Sequence, residues 1–340
     1  SIAMQAIGFE TSLPITDAQS LLAFEAPMPS IAAHEVLVKI EAIAVNPVDI
    51  KIRNVGAPPA GEKRILGWDA AGVVTEVGSA VSGFQVGDAV YYAGVVNRAG
   101  CNAEYQAVDA RIIAKKPQSL DFAQAAALPL TSLTAYEGLF DRLQVNERSN
   151  MHNRVLLVIG GSGGVGSQII QLAKQLSDLT VVATASRPES QAWCEELGAD
   201  FVINHRHDLA EEWAKTGLPA PSWVFSTQHT DDYAEQLAAL MAPQGKLVLI
   251  DDPKALPIGV FKSKSISIHW EFMFTRGMFV TADIARQHDI LAEVAALIDA
   301  GKIKTTLNKV ISPINVANLK QAHSDIESGN SIGKIVLQGW

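Results

Sequence analysis

The chain has 340 residues, 48% of them hydrophobic and 19% charged, with 25 glycines and 15 prolines. This excludes a disordered, collagen-like or coiled-coil chain, and the length exceeds the ~250–300 residues at which a single core stops growing, so two domains are expected. Lysine plus arginine is 27 and aspartate plus glutamate is 36, a net charge of −9, opposite in sign to that of a general nucleic-acid binder.

Only Cys101 and Cys194 are present, too few for a disulfide framework or a four-cysteine zinc site. Ser1-Ile2-Ala3 ahead of Met4 reads as a remnant of expression. There is no basic-then-apolar leader and no uncharged apolar run near the ~20 residues of a membrane span. A reducing, cytoplasmic compartment is expected, with neither membrane nor nucleic acid as partner.

Residues 1 to about 118 hold short β-like runs punctuated by Gly, Pro and Asp. His34–Val45 reads as a long strand. Gly72–Gly78 reads as a strand closed by a turn, Gly87–Tyr92 as a turn followed by a strand, and Arg111–Ala114 as another strand. A helix opens after Ser119 or Asp121 and runs through Ala125-Ala126-Ala127.

The pattern then alternates. Val155–Ile159 is a continuous apolar run, as in a strand buried on both faces of a parallel sheet. Val165, Ile169, Leu172, Ala173 and Leu176 follow at helical spacing. Further strands are read at Thr180–Ala183, Phe201–Ile203, Trp223–Phe225, Lys246–Ile250 and Ser265–Ile268, with Gly198 and Gly245 as helix stops. Strand–helix alternation of this kind predicts an α/β, doubly wound sheet. The tail reads as a helix over Asp283–Ala300 stopped by Gly301, and a second over Asn315–Glu327 stopped by Gly329. A last strand, Lys334–Leu337, is expected to return to the first domain's sheet.

The loop Gly160-Gly161-Ser162-Gly163-Gly164-Val165-Gly166 carries G-x-G-x-x-G at Gly161, Gly163 and Gly166, after a buried strand and before an amphipathic helix. Gly161 permits the tight turn. Gly163 lets the backbone approach a pyrophosphate, and Gly166 lets helix pack on strand. The free N–H groups and dipole of the helix then face the phosphates; the alternative is a tight strand–helix turn with no ligand. At the end of the second strand, Thr184-Ala185-Ser186-Arg187-Pro188-Glu189 has no carboxylate directly at the strand end. Ser186 and Arg187 suit a ribose 2′-phosphate, so NADPH is predicted over NADH. The alternative makes Arg187 a solvated loop charge, and Glu189 pulls slightly the other way.

Leu66-Gly67-Trp68-Asp69-Ala70-Ala71-Gly72-Val73-Val74 resembles the hallmark of the medium-chain dehydrogenases/reductases. Val77-Gly78, Gly87-Asp88-Ala89-Val90, Asn46-Pro47-Val48-Asp49, Leu133-Thr134-Ala135-Tyr136 and the glycine loop fit the same family. Nearly the whole chain is covered. The resemblance is greatest to the zinc-independent quinone oxidoreductase branch, the group labelled "zinc-type alcohol dehydrogenase-like". It implies a GroES-like β domain over residues 1–125 and 275–340, completed by the tail, and a Rossmann NADP-binding domain over 126–274.

The zinc members of this family hold a catalytic ion with Cys, His and a further Cys or carboxylate. The resemblance places Trp68 where their histidine ligand stands and Asn46 where their first cysteine stands. Ala127–Tyr136 has neither Cys nor His, and only Cys101 lies in the region of their structural zinc lobe. Both zinc sites therefore read as lost, and no metal is expected. His205 and His207 form an H-x-H pair that reads as a polar loop after a strand.

Without a Lewis acid, alcohol oxidation lacks a stabiliser for the developing alkoxide, whereas hydride transfer to a quinone or enone needs mainly positioning and hydrogen bonding. The resemblance implies a nicotinamide between the domains near Asn46, Asp49, Trp68 and Thr134, and His205 against the cofactor. Asn46 would donate to the acceptor oxygen or fix the nicotinamide ribose, and Trp68 would wall a flat acceptor or simply pack in the core. Lys51 stands where many relatives carry a tyrosine, so Lys51 or water would supply the proton. Asp49 either takes part or pairs structurally with Arg53. The aromatic run His269–Arg276 would line the nicotinamide end or support a homodimer through a sheet edge.

The first reading is an NADPH-dependent reductase of a small electrophilic acceptor, a quinone or enone/enal. The competing readings are a zinc alcohol dehydrogenase, opposed by the missing ligands, and a low-turnover NADPH-binding or sensor protein.

Overall fold

A computed structural model describes residues 2–340. The chain divides into two units, one of Ser1–Leu130 with Phe274–Trp340 and the other of Thr131–Met273. The seams at 130/131 and 273/274 compare with the expected 125/126 and 274/275.

In the first unit, among the described residues, a seven-stranded sheet runs in the order Leu307–Ile311, Lys334–Gln338, Glu35–Ala44, Ala70–Val77, Ala89–Tyr92, Ile113–Lys115. Tyr105–Asp109 is added along the first half of Glu35–Ala44. The last strand lies antiparallel to Glu35–Ala44, with Val336 opposite Ala44. The chain end thus returns to the first unit's sheet, as expected of a strand that follows a complete nucleotide-type domain, and carries Lys334 to the end of a strand opened some three hundred residues earlier in the chain. A smaller sheet of Leu22–Pro27, Ala3–Phe9 and Arg64–Ile65 went unread in the sequence. So did the helix Pro47–Val55, which Asn46 caps and Pro47 opens.

Other elements were legible with corrected ends. The helix expected after Asp121 is Phe122–Ala126, with Asp121 and Gln124 forming a capping box. The tail helices are Arg286–Asp299 and Val316–Glu327; Gly301 (φ 71°) and Gly329 (φ 72°) follow them in left-handed conformation. Arg111–Ala114 is not one strand. Asp109 caps a single 3₁₀ turn, Ala110–Ile112, and the strand starts only at Ile113.

The second unit is a six-stranded parallel sheet in the order Phe201–Ile203, Thr180–Thr184, Val155–Ile159, Trp223–Ser226, Lys246–Leu249, Ser267–Trp270. In chain order that is 3-2-1-4-5-6, the doubly wound arrangement of a Rossmann domain. Every residue of the central Val155–Ile159 is buried. On the helix Gly164–Leu176, Ile169, Leu172 and Ala173 are fully buried, while Val165 and Leu176 at its ends are half-buried.

Two readings shift here. The last strand is Ser267–Trp270, two residues later than expected, because Ser265 is left-handed (φ 51°) and ends a 3₁₀ stretch, Ile258–Lys264. The turn before Lys246–Leu249 is made by Gln244 (φ 64°) rather than Gly245. Gly245 is instead hemmed in: a Cβ there would lie 2.9 Å from the carbonyls of Ala242 and Ser222. Among the described residues, no helix is long and apolar enough to cross a membrane.

Candidate functional site

In the second unit the glycine loop joins the central strand to its helix. The left-handed residue of the turn is Gly160 (φ 84°), not Gly161 as expected. Gly161 answers to packing, since a Cβ there would lie 2.7 Å from that of Ala183 on the next strand. At Gly166 a Cβ would fall 2.1 Å from the Gly160 carbonyl oxygen, so the helix can sit on the loop only with glycine there. Gly163 is different. Its Cβ would meet nothing nearer than the Gly160 oxygen at 3.8 Å, so it faces open space. Gly163 is also the helix N-cap and supplies no side-chain cap, leaving first-turn N–H groups and the positive dipole end for an anion. Ser162, Gly164 and Val165 are half-buried around this opening.

The neighbouring strand end supports the loop. Thr184, fully buried, accepts from the Gly160 N–H through Oγ1 (2.9 Å), and its carbonyl accepts from the Gly161 N–H (3.0 Å). Its hydroxyl also meets His205 Nδ1 at 2.9 Å. Burial, then Arg206 and His229, lowers the His205 pKa, so the ring is neutral at pH 7. His207 turns elsewhere, towards Glu212 at 3.8 Å, and the H-x-H pair does not converge. Ser186 and Arg187 are half-buried just beyond the strand Thr180–Thr184, and Arg187 is the N-cap residue of the helix Pro188–Glu196. Thr134 is buried in the helix Pro129–Tyr136.

In the first unit, Asn46, Asp49, Asp69 and Lys334 form a closed polar cluster. The Asp49 carboxylate accepts from the Asn46 N–H at 2.9 Å, closing a capping box. The Asn46 Nδ2 donates to Asp69 Oδ2 at 2.9 Å. The Lys334 ammonium donates to Asn46 Oδ1, lies 3.1 Å from Asp69 Oδ2 and reaches the Val45 carbonyl at 3.3 Å. The second Asp69 oxygen takes the Leu130 N–H at 2.8 Å. Asp49 Oδ1 is buried without a partner. Burial lifts the Asp49 carboxyl to about 7, against the pull of the Asn46 N–H and Lys334, and raises Asp69 as well. Cys101 donates to the Asp69 carbonyl at 3.3 Å, and burial holds its thiol protonated.

The remaining predicted residues fall outside this cluster. Trp68 is fully buried; its indole N–H donates to the Val95 carbonyl (3.1 Å) and its ring meets Phe274 edge-on at 6.5 Å. Lys51 is exposed on the helix Pro47–Val55. The Asp49–Arg53 pair does not form. Arg53 turns instead to the helix Val316–Glu327, where it meets His323 Nδ1 at 2.6 Å and binds Glu327. In the aromatic run, Trp270 and Phe272 are exposed, while Glu271 is buried against Arg142 (3.1 Å). Sequence reading missed Asp69, Thr184 and Lys334 as site residues. Asp69 and Thr184 stood beside residues already singled out; Lys334 lay inside a strand pattern and gave no local signal.

Two family models match the chain: "Alcohol dehydrogenase GroES-like domain" over residues 32–118 and "Zinc-binding dehydrogenase" over residues 197–337. A solved structure from Rhizobium etli CFN 42, provisionally named a zinc-dependent alcohol dehydrogenase, is 52% identical, with 100% of this chain and 99% of that one covered and a TM-score of 0.97. The "zinc-type alcohol dehydrogenase-like protein" of Staphylococcus epidermidis is 39% identical over 98% of this chain and 99% of its own. The "NADPH-dependent alkenal/one oxidoreductase, chloroplastic" of Arabidopsis thaliana is 32% identical over 91% and 73%. The chain belongs to the medium-chain dehydrogenase/reductase superfamily and is an oxidoreductase of that family.

The family name implies zinc, and the donor set of the buried cluster does not suit it. Asn46 and Trp68 supply no anionic or imidazole ligand, both Asp69 oxygens are engaged, and an ammonium already lies 3.1 Å from one of them. Among the described residues, no group of three or more His, Cys, Asp or Glu is placed to hold a metal ion. A dinucleotide, by contrast, fits the glycine loop, with its open Gly163 and uncapped helix.

Proposed function

We propose that this chain is an NADPH-dependent reductase that passes a hydride to a quinone or to the β-carbon of an enone or enal without zinc. The observation that carries the reading is the pairing of a built phosphate cradle with a polar centre whose cation is a lysine. Bound NADPH supplies the hydride. The backbone of Gly161–Gly166 would hold its pyrophosphate, and Ser186 and Arg187 would take the 2′-phosphate. Thr184 fixes the loop and bonds His205 beside it, while Thr134 would contact the nicotinamide end. Reduction of an electron-poor acceptor asks for positioning and a donor to the developing oxyanion rather than a Lewis acid. The centre around Asn46 and Lys334 is buried, hydrogen-bonded and holds one ammonium. With Trp68 packed into the core, Lys51 or water remains the proton source for the product. The likeness to the Arabidopsis alkenal/one oxidoreductase supports this substrate class and cofactor. A homodimer and a cytoplasmic location belong to the same proposal.

The test is NADPH oxidation against benzoquinones, naphthoquinones and 2-alkenals, beside a fluorescence titration with NADPH and NADH. Turnover of at least one acceptor class is expected. Tight NADPH binding with no turnover favours the sensor reading, and no binding at millimolar cofactor ends both. Arg187→Ala is expected to lower the preference for NADPH over NADH by ~10- to 150-fold, the worth of one charge-assisted hydrogen bond; an unchanged preference removes Arg187 from the role.

A further inference from the structure

The buried cluster of the first unit holds two carboxylates and one ammonium. Asp69 is fully buried and the Lys334 side chain is 4% exposed. Lys334 comes from the last strand, whereas Asn46 and Asp69 come from the first half of the chain. Only the return of the chain end to the sheet puts the ammonium there. Its three contacts are the Asn46 side-chain oxygen, the Val45 carbonyl and Asp69. The Asn46 amide is held at both ends, by Lys334 at oxygen and by Asp69 at nitrogen. Burial raises the Asp69 carboxyl, while the Lys334 ammonium and the bonds from Asn46 and Leu130 pull it back towards the ionised form.

We propose that Lys334 is the resident cation of this centre, a positioning residue that locks the Asn46 carboxamide and opposes the protonation of Asp69, so that the centre is complete without a metal ion. The proposal deepens the reductase reading and rests on it for its activity arm alone. The groups facing the ammonium and the carboxylates are Asn46, Asp49, Asp69 and the Cys101 thiol. One cation cannot balance two carboxylates in the interior, and the raised Asp49 pKa agrees with a proton held on its unpartnered Oδ1.

Lys334→Met, Lys334→Arg and the double variant Asp69→Asn with Lys334→Met separate this role from packing. Removing the ammonium leaves carboxylates that fold only when protonated, so stability is lost as pH rises through their folded pKa. The Tm deficit of Lys334→Met is expected to be roughly twice as large at about pH 8.5 as at about pH 5.5. Lys334→Arg recovers most of it, and the double variant flattens the pH dependence. A deficit equal at every pH, or an unrescued one, overturns the proposal. If Lys334→Met does not fold, the double variant decides: failure of that variant to fold as well marks a packing role and overturns the proposal.

Cobalt titration of the wild-type protein is expected to give no coordination band. A one-to-one band that disappears in Asp69→Asn overturns the proposal. With an accepted substrate, kcat of Lys334→Met is expected to fall ~10-fold or more, with recovery in Lys334→Arg and NADPH affinity unchanged. Equal fall of kcat in both variants overturns the positioning role. If no acceptor turns over, the reductase reading fails, and the stability and cobalt arms still decide the role of Lys334.

Discussion

Arg53 shows how a single buried charge organises its surroundings. It sits on the helix Pro47–Val55 at 1% exposure and spans to the helix Val316–Glu327, where Glu327 neutralises it and His323 accepts from it. Because the guanidinium donates to Nδ1, the His323 ring carries its proton on Nε2, which is buried without a partner. Burial, with Arg53 adding repulsion, drives the His323 pKa down to about 3. The unfolded chain takes up a proton near pH 6.5 that the folded chain refuses, so stability is full above that pH and declines as pH falls towards 3. His323→Gln keeps an acceptor for Arg53 and removes the titration. Wild-type protein is expected to lose about 2 kcal/mol relative to that variant between about pH 7 and pH 5. Urea denaturation at the two pH values measures it, and parallel losses in both proteins would show that His323 already carries its proton when folded.

The helix Gly164–Leu176 and its loop are the element on which cofactor binding turns. The helix begins at a glycine that offers no side-chain cap to its first-turn N–H groups. Gly166→Ala is expected to abolish NADPH binding and to lower Tm, because the added carbon would meet backbone oxygen at 2.1 Å and backbone cannot swing aside as a side chain can. Gly163→Ala meets no such obstacle within the protein. It is expected to leave Tm near wild type while weakening NADPH binding, since the methyl occupies the space a phosphate needs. Thermal melts with and without cofactor separate the two, and equal losses of Tm would show that the open face of Gly163 is not the phosphate side. Trp223 illustrates packing elsewhere in the unit: its indole N–H reaches the Leu143 carbonyl at 3.2 Å and Arg154 lies over its ring at 4.9 Å.

At the scale of the whole molecule, the six-stranded sheet ends on Ser267–Trp270, whose outer edge has no strand beside it among the described residues. Trp270 at 60% and Phe272 at 48% exposure flank that edge. An open edge carrying aromatic residues is a template for pairing with a second chain. A homodimer through this edge is therefore expected, and Trp270→Glu is expected to shift it to monomer with little change in NADPH affinity. Sedimentation of both proteins reads the outcome; a wild-type monomer, or a variant that stays dimeric, removes the edge from the assembly. The two cysteines offer no covalent alternative: Cys101 and Cys194 are buried free thiols, and burial pushes Cys194 up to about 12.

What the sequence determined by itself was what neighbours along the chain determine. Val155–Ile159, the glycine loop and the helix behind it were legible because a buried parallel strand and an amphipathic helix write their periods locally. The helix stops at Gly301 and Gly329 were legible because left-handed backbone selects glycine. A strand start slipped where Ser265 took the left-handed turn, and the turn credited to Gly245 fell to Gln244, since nothing local marks a non-glycine residue for that conformation. The polar centre was half visible: Asn46 and Asp49 stood out through the family resemblance, but the helix they cap went unread and Lys334 reads only as one residue of a strand. Its bond to Asn46 crosses 288 positions and that of Arg53 to His323 crosses 270. Such pairs are chosen by which strand returns to which sheet and which helix lies against which, and a buried charge then takes whatever counter-charge the packing delivers. That selection is a property of the assembled interior, so tertiary structure alone decided it.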